Sequence, residues 1–309
     1  MSIAILTNFK DATSWKIALQ DKLPNTQIDI YGQTPSALNA PFLVCWKPNQ
    51  GQLKEFVQLK VVQSLGAGVD HIFDTNTIAD KVQVTRIIDA RLTVDMWEYT
   101  LTATLNFLKD FPTYAEQQDK QQWQQHTYKT IPETTIGIMG LGKIGGYVAK
   151  RFAQTGFQVN GWSNSKKEIE GVQSFAGTSQ LAAFLGQVDL LINILPLTKA
   201  TRGILNQNLL AQLPQGAYLI NVGRGGHLVE NDLIPLIESG QLSGATLDVF
   251  AKEPLPKDHP FWHHPKIVVT PHIASLTNIE SAVNQVVENY QRMMNNQPLL
   301  NIVSSDKGY

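Results

Sequence analysis

The stretch Ile136-Gly137-Ile138-Met139-Gly140-Leu141-Gly142-Lys143-Ile144-Gly145 decides how this chain folds. An apolar, strand-like run enters glycines spaced G-x-G-x-x-G, and an amphipathic helical pattern over 144–154 follows. The spacing alone is a weak signal, but its place between strand and helix is what a dinucleotide fingerprint requires. Gly140 permits the tight turn, Gly142 lets the backbone approach a diphosphate, and Gly145 lets helix and strand pack closely. Leu141, Lys143 and Ile144 fill the positions between them, where the helix begins. Free N–H groups and the helix dipole favour an anion there.

The alternation extends outward from this point. Strand-like runs at 3–6, 42–46, 61–65, 135–139, 158–162, 189–194, 217–222, 245–249 and 267–270 are separated by helical patterns, among them 205–213 and 233–239. Strands alternating with helices argue for an α/β fold with parallel sheets. A chain of 309 residues is long enough for two domains and for a core that needs no disulfide or metal. Residues 111–132 break the rhythm with paired glutamines and an isolated Trp123. Two readings fit this stretch. One is a solvated polar helix or loop; the other is an arm across a subunit interface, with Trp123 as anchor.

Lys and Arg number 25 against 26 Asp and Glu, a formal charge of −1. Nucleic-acid binding normally needs a basic face, so it is not expected. There is also no general field to steer anions, so any anionic ligand must be caught by local groups. Charged residues make up 17% of the chain, below a typical ~25%, and low net charge guards weakly against self-association. Cys45, the only cysteine, lies in the apolar run Phe42-Leu43-Val44-Cys45-Trp46 and reads as a small buried hydrophobe. A lone thiol suits a reducing cytoplasm. No apolar run approaches ~18 residues, so no membrane span is expected. The first residues read as a strand rather than a leader.

A dinucleotide site of this kind expects an acid at the end of its second strand to hold the adenosine ribose. Here that strand ends in Ser163-Asn164-Ser165-Lys166-Lys167, and Glu168 follows late in the loop. A carboxylate would repel a 2′-phosphate, whereas hydroxyls, an amide and a Lys welcome one. NADPH is therefore expected over NADH.

Three more motifs follow later strands. Asn221-Val222-Gly223-Arg224-Gly225-Gly226 places Arg224, a planar double donor suited to a carboxylate, just past an apolar run. Leu247-Asp248-Val249-Phe250-Ala251-Lys252-Glu253-Pro254 places Glu253 in a proline-held loop, and Thr270-Pro271-His272-Ile273-Ala274 places His272 at another strand end. Reduction of a 2-keto acid needs a cation for the carboxylate, a proton donor and a hydride source. His272 suits the donor, an ionised Glu253 favours its protonated form, and Arg224 suits the carboxylate and the carbonyl.

These motifs, in this order, resemble the D-isomer-specific 2-hydroxyacid dehydrogenases over nearly the whole chain. Leu65-Gly66-Ala67-Gly68-Val69-Asp70 belongs to the match. So do Trp162-Ser163-Asn164-Ser165-Lys166, the run from Gly171 to Gly177, and the terminal Gly308-Tyr309, which are closest to that family's glyoxylate/hydroxypyruvate reductases of the A type. The resemblance implies that Arg224 orients the substrate, that Glu253 pairs with His272, and that His272 is the general acid in reduction. It assigns the 66–68 loop (Gly66, Ala67, Gly68) to the substrate, where successive N–H groups would form an anion nest, and sets Trp46 in the pocket wall. Leu195 and Pro196 would cover the adenine side, with Val222 and Asp248 at the nicotinamide half.

The family further implies two Rossmann-like domains that are not sequential halves. A flavodoxin-like substrate domain, 1–97 and 276–309, is interleaved with a dinucleotide-binding domain, 98–275, and hinge closure of the cleft between them excludes water. The chain would cross on a long helix near 95–108 and return on another near 281–294. Residues 111–132 would lie at a homodimer interface, with Trp123 approaching the partner's site. The expected activity is reduction of small 2-keto acids of the glyoxylate or hydroxypyruvate type. A dinucleotide-sensing binding protein on the same fold and a broader 2-keto acid reductase fit the same residues. His259, His263 and His264 have possible metal spacing, but prolines interrupt them and no further ligand is in sight, so no metal is expected. His227 reads as a loop-surface residue.

Overall fold

A computed structural model of the protein describes residues 1–8 and 11–303; Gly308 and Tyr309 lie outside the described residues. The chain forms two compact units, one made of residues 1–92 and the chain from Thr277 on, the other of Thr93–Leu276.

The first unit opens with β1 (Ser2–Thr7), α1 (Ala12–Lys22), β2 (Gln27–Ile30), β3 (Phe42–Trp46), β4 (Val61–Ser64), the single turn α2 (Asp70–Phe73) and β5 (Gln83–Thr85). Asp11 starts α1 by accepting the N–H groups of Thr13 and Ser14 at 2.8 and 3.2 Å, the usual satisfaction of a helix's first free donors. The strands lie in the order β2-β1-β3-β4-β5, all parallel. Alternate residues serve opposite faces: Ile3, Ile5, Phe42 and Val44 enter one apolar cluster, while Ala4, Leu6, Leu43 and Cys45 enter the other. A parallel sheet is covered on both sides, which is why these strands read as unbroken apolar runs. Cys45 is fully buried, and burial pushes its thiol well above the usual range.

Helix α3 (Ala90–Leu108) begins in the first unit and continues into the second. There follow α4 (Phe111–Asp119), β6 (Thr135–Met139), α5 (Lys143–Thr155), β7 (Gln158–Ser163), β8 (Gln173–Ala176), α6 (Leu181–Leu185), β9 (Leu190–Asn193), α7 (Gln207–Leu210), β10 (Ala217–Asn221), α8 (Glu230–Glu238), β11 (Leu242–Leu247) and β12 (Ile267–Val269). The sheet order is β12-β11-β10-β9-β6-β7-β8, again all parallel. The order reverses between β6 and β9, and ligands of such sheets bind at the carboxyl ends beside that reversal. Helix α9 (Ile279–Met294) returns the chain to the first unit, where Ala282, Val283, Val286 and Tyr290 enter the core.

The structure departs from the sequence expectations in places. The helix expected over 205–213 is only the turn α7, because Leu205 is extended and bridges Leu228. Strand β11 starts at Leu242 rather than 245. Residues 111–132 divide into α4 and an extended strap. Within it, Gln117 Nε2 meets His126 Nε2 at 2.5 Å, His126 N–H donates to the Tyr114 hydroxyl at 3.0 Å, and Lys129 pairs with Asp189 at 2.7 Å. Trp123 on that strap is 97% exposed. No helix among the described residues is long and apolar enough to cross a membrane.

Candidate active site

In the second unit the expected site residues gather along the carboxyl edge of the sheet. Gly140 ends β6 at φ +106°, where a side chain would be strained, and a Cβ there would lie 2.9 Å from Ile194 O. A Cβ on Gly145 would sit 1.8 Å from Gly140 O, so no other residue lets α5 start so close to the strand. A Cβ on Gly142 would meet nothing within 4 Å. The loop is thus tight on its inner side and open above the first turn of α5, a cradle that fits a diphosphate. Leu141 points inward against Gly161, while Lys143 is exposed and Ile144 is partly buried.

Ser163 closes β7, and its hydroxyl donates to Ser165 O at 2.8 Å, curling Asn164, Ser165 and Lys166 into an exposed turn that carries no carboxylate. Glu168 is not remote from the fingerprint. With Lys167, Lys143 and Lys150 it lines a cleft of ≈ 580 Å³ that also includes Leu141 and Gly142. After β9, the Leu195 N–H donates to Asn193 Oδ1 at 3.3 Å, and Pro196 O accepts from Thr201 Oγ1 at 2.7 Å. Val222 is buried, with its N–H on Asn193 O at 3.2 Å.

Arg224 follows β10. Its Nη1 donates to Gly223 O at 2.7 Å. A Cβ on Gly225 would lie 1.8 Å from the carbonyl carbon of Phe250, so the Arg224 turn rests directly on the loop leading to Glu253. His227 corrects the sequence reading: it is fully buried rather than on the loop surface, because its ring receives the Arg224 N–H at 3.1 Å. Gly223 lets the turn lie against Asn193 and the ring, since a Cβ there would meet both at 2.9–3.0 Å.

His272 and Glu253 form a pair, Nδ1 to Oε2 at 2.9 Å, with side chains 32% and 19% exposed. The other carboxylate oxygen accepts the Phe250 N–H at 3.2 Å. An ionised Glu253 only accepts, so Nδ1 carries the proton and donates it in this bond, which leaves Nε2 as the ring's working nitrogen. Asp248 is buried and turned toward the His272 loop. Oδ1 accepts Thr270 Oγ1 at 2.6 Å and Ile273 N–H at 2.8 Å, and Oδ2 accepts Ala274 N–H at 2.8 Å. Burial raises its carboxyl above the usual range, opposed by those bonds and by His272. Thr270's one proton goes to Asp248, so Tyr99 donates its own to Thr270 at 2.6 Å. Sequence reasoning missed Tyr99, since nothing in its helix marks it from a core aromatic.

In the first unit Trp46 ends β3 and the 66–68 loop follows β4, its neighbour in the sheet. A Cβ on Gly66 would fall 2.5 Å from the Trp46 ring, and the His71 ring lies 4.4 Å from it on centroids. Within this loop the Gly66 N–H donates to Ser64 Oγ at 3.3 Å. Ser64 Oγ in turn donates to Gly68 O at 2.8 Å. Among the described residues no group of His, Cys, Asp and Glu is arranged to hold a metal. His259 instead faces Glu230 at 3.6 Å.

Residues 101–274 match the sequence profile of the D-isomer specific 2-hydroxyacid dehydrogenase NAD binding domain. The chain is 42% identical to glyoxylate/hydroxypyruvate reductase A of Yersinia enterocolitica, over 100% of both chains. The corresponding protein of Serratia proteamaculans is also 42% identical over 100% of both. Among solved structures, an NADPH-dependent glyoxylate/hydroxypyruvate reductase from Sinorhizobium meliloti, in complex with NADP and sulfate, superposes with a TM-score of 0.92 at 34% identity, covering 100% of each chain. A D-isomer specific 2-hydroxyacid dehydrogenase from Xanthobacter autotrophicus, in complex with NADPH and MES, gives 0.92 at 36% identity over 100% of this chain and 99% of that one. Motif order, sheet topology, profile and full-length similarity agree, and the chain belongs to the D-isomer-specific 2-hydroxyacid dehydrogenase family.

Proposed function

We propose that this enzyme reduces small 2-keto acids of the glyoxylate and hydroxypyruvate type to 2-hydroxy acids with NADPH. The observation that carries the reading is the Glu253–His272 pair at 2.9 Å. It lies on the same strand-end edge as Arg224 and the glycine cradle. The second unit would hold the cofactor, with the diphosphate over Gly140, Gly142 and Gly145 and the nicotinamide side by Val222 and Asp248. The first unit would serve the substrate through Trp46, Gly66, Ala67 and Gly68. When bound, NADPH supplies the hydride. Arg224 then holds the substrate carboxylate and polarises the carbonyl, and His272 delivers the proton to the forming alkoxide. Glu253 stabilises the imidazolium before that transfer and fixes the ring's orientation.

The preference for NADPH rests on the turn at 163–166, which offers hydroxyls, an amide and Lys166 where a carboxylate would repel a 2′-phosphate. Charge-assisted hydrogen bonds contribute roughly 1.5–3 kcal/mol, or about a tenfold to hundredfold preference. The relatives named for this reaction, and those solved with NADPH or NADP, support it. The test is to follow oxidation of NADPH and NADH separately with glyoxylate, hydroxypyruvate, pyruvate and phenylpyruvate. The expected result is turnover of the two smaller acids with NADPH preferred. Equal kcat/KM with both cofactors would refute the preference, and no turnover with any acid would refute the function in favour of a sensor. We also propose a cytoplasmic homodimer joined through 111–132, supported by the single reduced Cys45 and the exposed Trp123. Recovery in a membrane or periplasmic fraction would contradict the location.

A further inference from the structure

Beneath Arg224 lies a polar cluster that the reaction above leaves unused. Asn193, Asn221 and His227 are each 0% exposed, and come from the ends of β9 and β10 and the turn that follows. Asn193 Nδ2 lies 2.9 Å from both His227 Nδ1 and Asn221 Oδ1. Asn221 accepts the Gly223 N–H at 3.3 Å and donates to Arg224 O at 3.3 Å. The Arg224 N–H donates to His227 Nδ1 at 3.1 Å, and the His227 N–H returns to Arg224 O at 3.1 Å. The backbone N–H and C=O of Arg224 are therefore both held by side chains that reach no solvent.

The direction of one bond fixes the chemistry. A backbone N–H only donates, so His227 Nδ1 accepts, carries no proton, and leaves the ring's proton on Nε2. An imidazolium here would set an N–H against the Arg224 N–H. There is no slack for the turn to shift, since a Cβ on Gly223 would meet Asn193 Nδ2 at 2.9 Å and the His227 ring at 3.0 Å. Buried side-chain networks of this kind rigidify the backbone they hold.

We propose that His227 is a positioning residue for Arg224: its neutral Nδ1 fixes the backbone from which the guanidinium is aimed at the substrate carboxylate. The inference rests on Arg224 being the carboxylate group, and the experiment separates the two. His227→Leu removes the acceptor, whereas His227→Asn returns an amide oxygen near the position of Nδ1. His227→Leu should lower kcat/KM for glyoxylate by about tenfold to hundredfold, the scale of a small misplacement of a binding group. Most of that loss should lie in KM, and NADPH affinity by fluorescence titration should be unchanged. His227→Asn should recover most of the loss. Native kcat/KM in a folded His227→Leu variant, or equal losses in both, would overturn the inference provided Arg224→Gln is inactive. An active Arg224→Gln variant would instead overturn the reading of Arg224 itself, and this inference with it. Should the Leu variant not fold, nitrogen-15 NMR of the histidine-labelled native protein still decides. An unprotonated His227 Nδ1 is expected, and a protonated one would overturn the proposal.

Discussion

His272 stands at φ +58°, a left-handed position that a side chain of its size occupies only where neighbours hold it. Asp248 supplies that hold by taking the N–H groups of the next two residues, Ile273 and Ala274. Removing only the proton donor should leave this turn in place. His272→Gln is expected to fold, to bind NADPH normally and to lose about 10²–10⁴ in kcat, the usual contribution of general acid catalysis; near-normal turnover would end the assignment of His272. The trio was legible in the sequence because each member follows an apolar run and is flanked by glycine or proline, so each had to project from a strand end. His227 was not. A histidine after two glycines looks like a loop residue until the depth of the turn is known, and only the partners Asn193 and Asn221, about thirty residues apart in sequence, reveal a buried ring.

At the scale of elements, the inner strands announced themselves and most edge strands did not. Strands β2, β5 and β8 each lie at a sheet edge, and their short sequences Gln-Ile-Asp-Ile, Gln-Val-Thr and Gln-Ser-Phe-Ala carry polar residues that interrupt the apolar signal. Central strands, apolar on both faces, give an uninterrupted signal. The β6–α5 junction was the most legible piece, since three glycines at that spacing, set between an apolar run and an amphipathic helical pattern, have few other uses. Its geometry makes a firm prediction. Gly145→Ala would bring a methyl to 1.8 Å from Gly140 O, and overpacking of this kind costs typically 1–3 kcal/mol. The variant should melt lower by calorimetry and lose NADPH binding by titration. Unchanged values for both would show that α5 can move away from the strand without harm.

At the scale of the whole molecule, Trp123 is the outstanding surface feature, a 97% exposed indole on a strap otherwise pinned by Gln117, His126 and Lys129. A homodimer joined there should show about twice the chain mass in sedimentation. Trp123→Ala should weaken association by about 2 kcal/mol, the scale of an interface hot spot, or roughly thirtyfold in Kd. A native protein that sediments as a monomer at micromolar concentration would refute the dimer. The order of the chain has its own consequence. Gln63 in β4 accepts from Asn289 at 2.8 Å, and the Tyr290 hydroxyl donates to Met1 O at 2.9 Å, so the first unit is completed by a helix that follows the whole second unit in the chain. During synthesis the sheet of β1–β5 must therefore wait for α9 until the whole second unit has emerged. The first unit is thus completed only after the second, and its face beneath α9 stays open to wrong contacts until then.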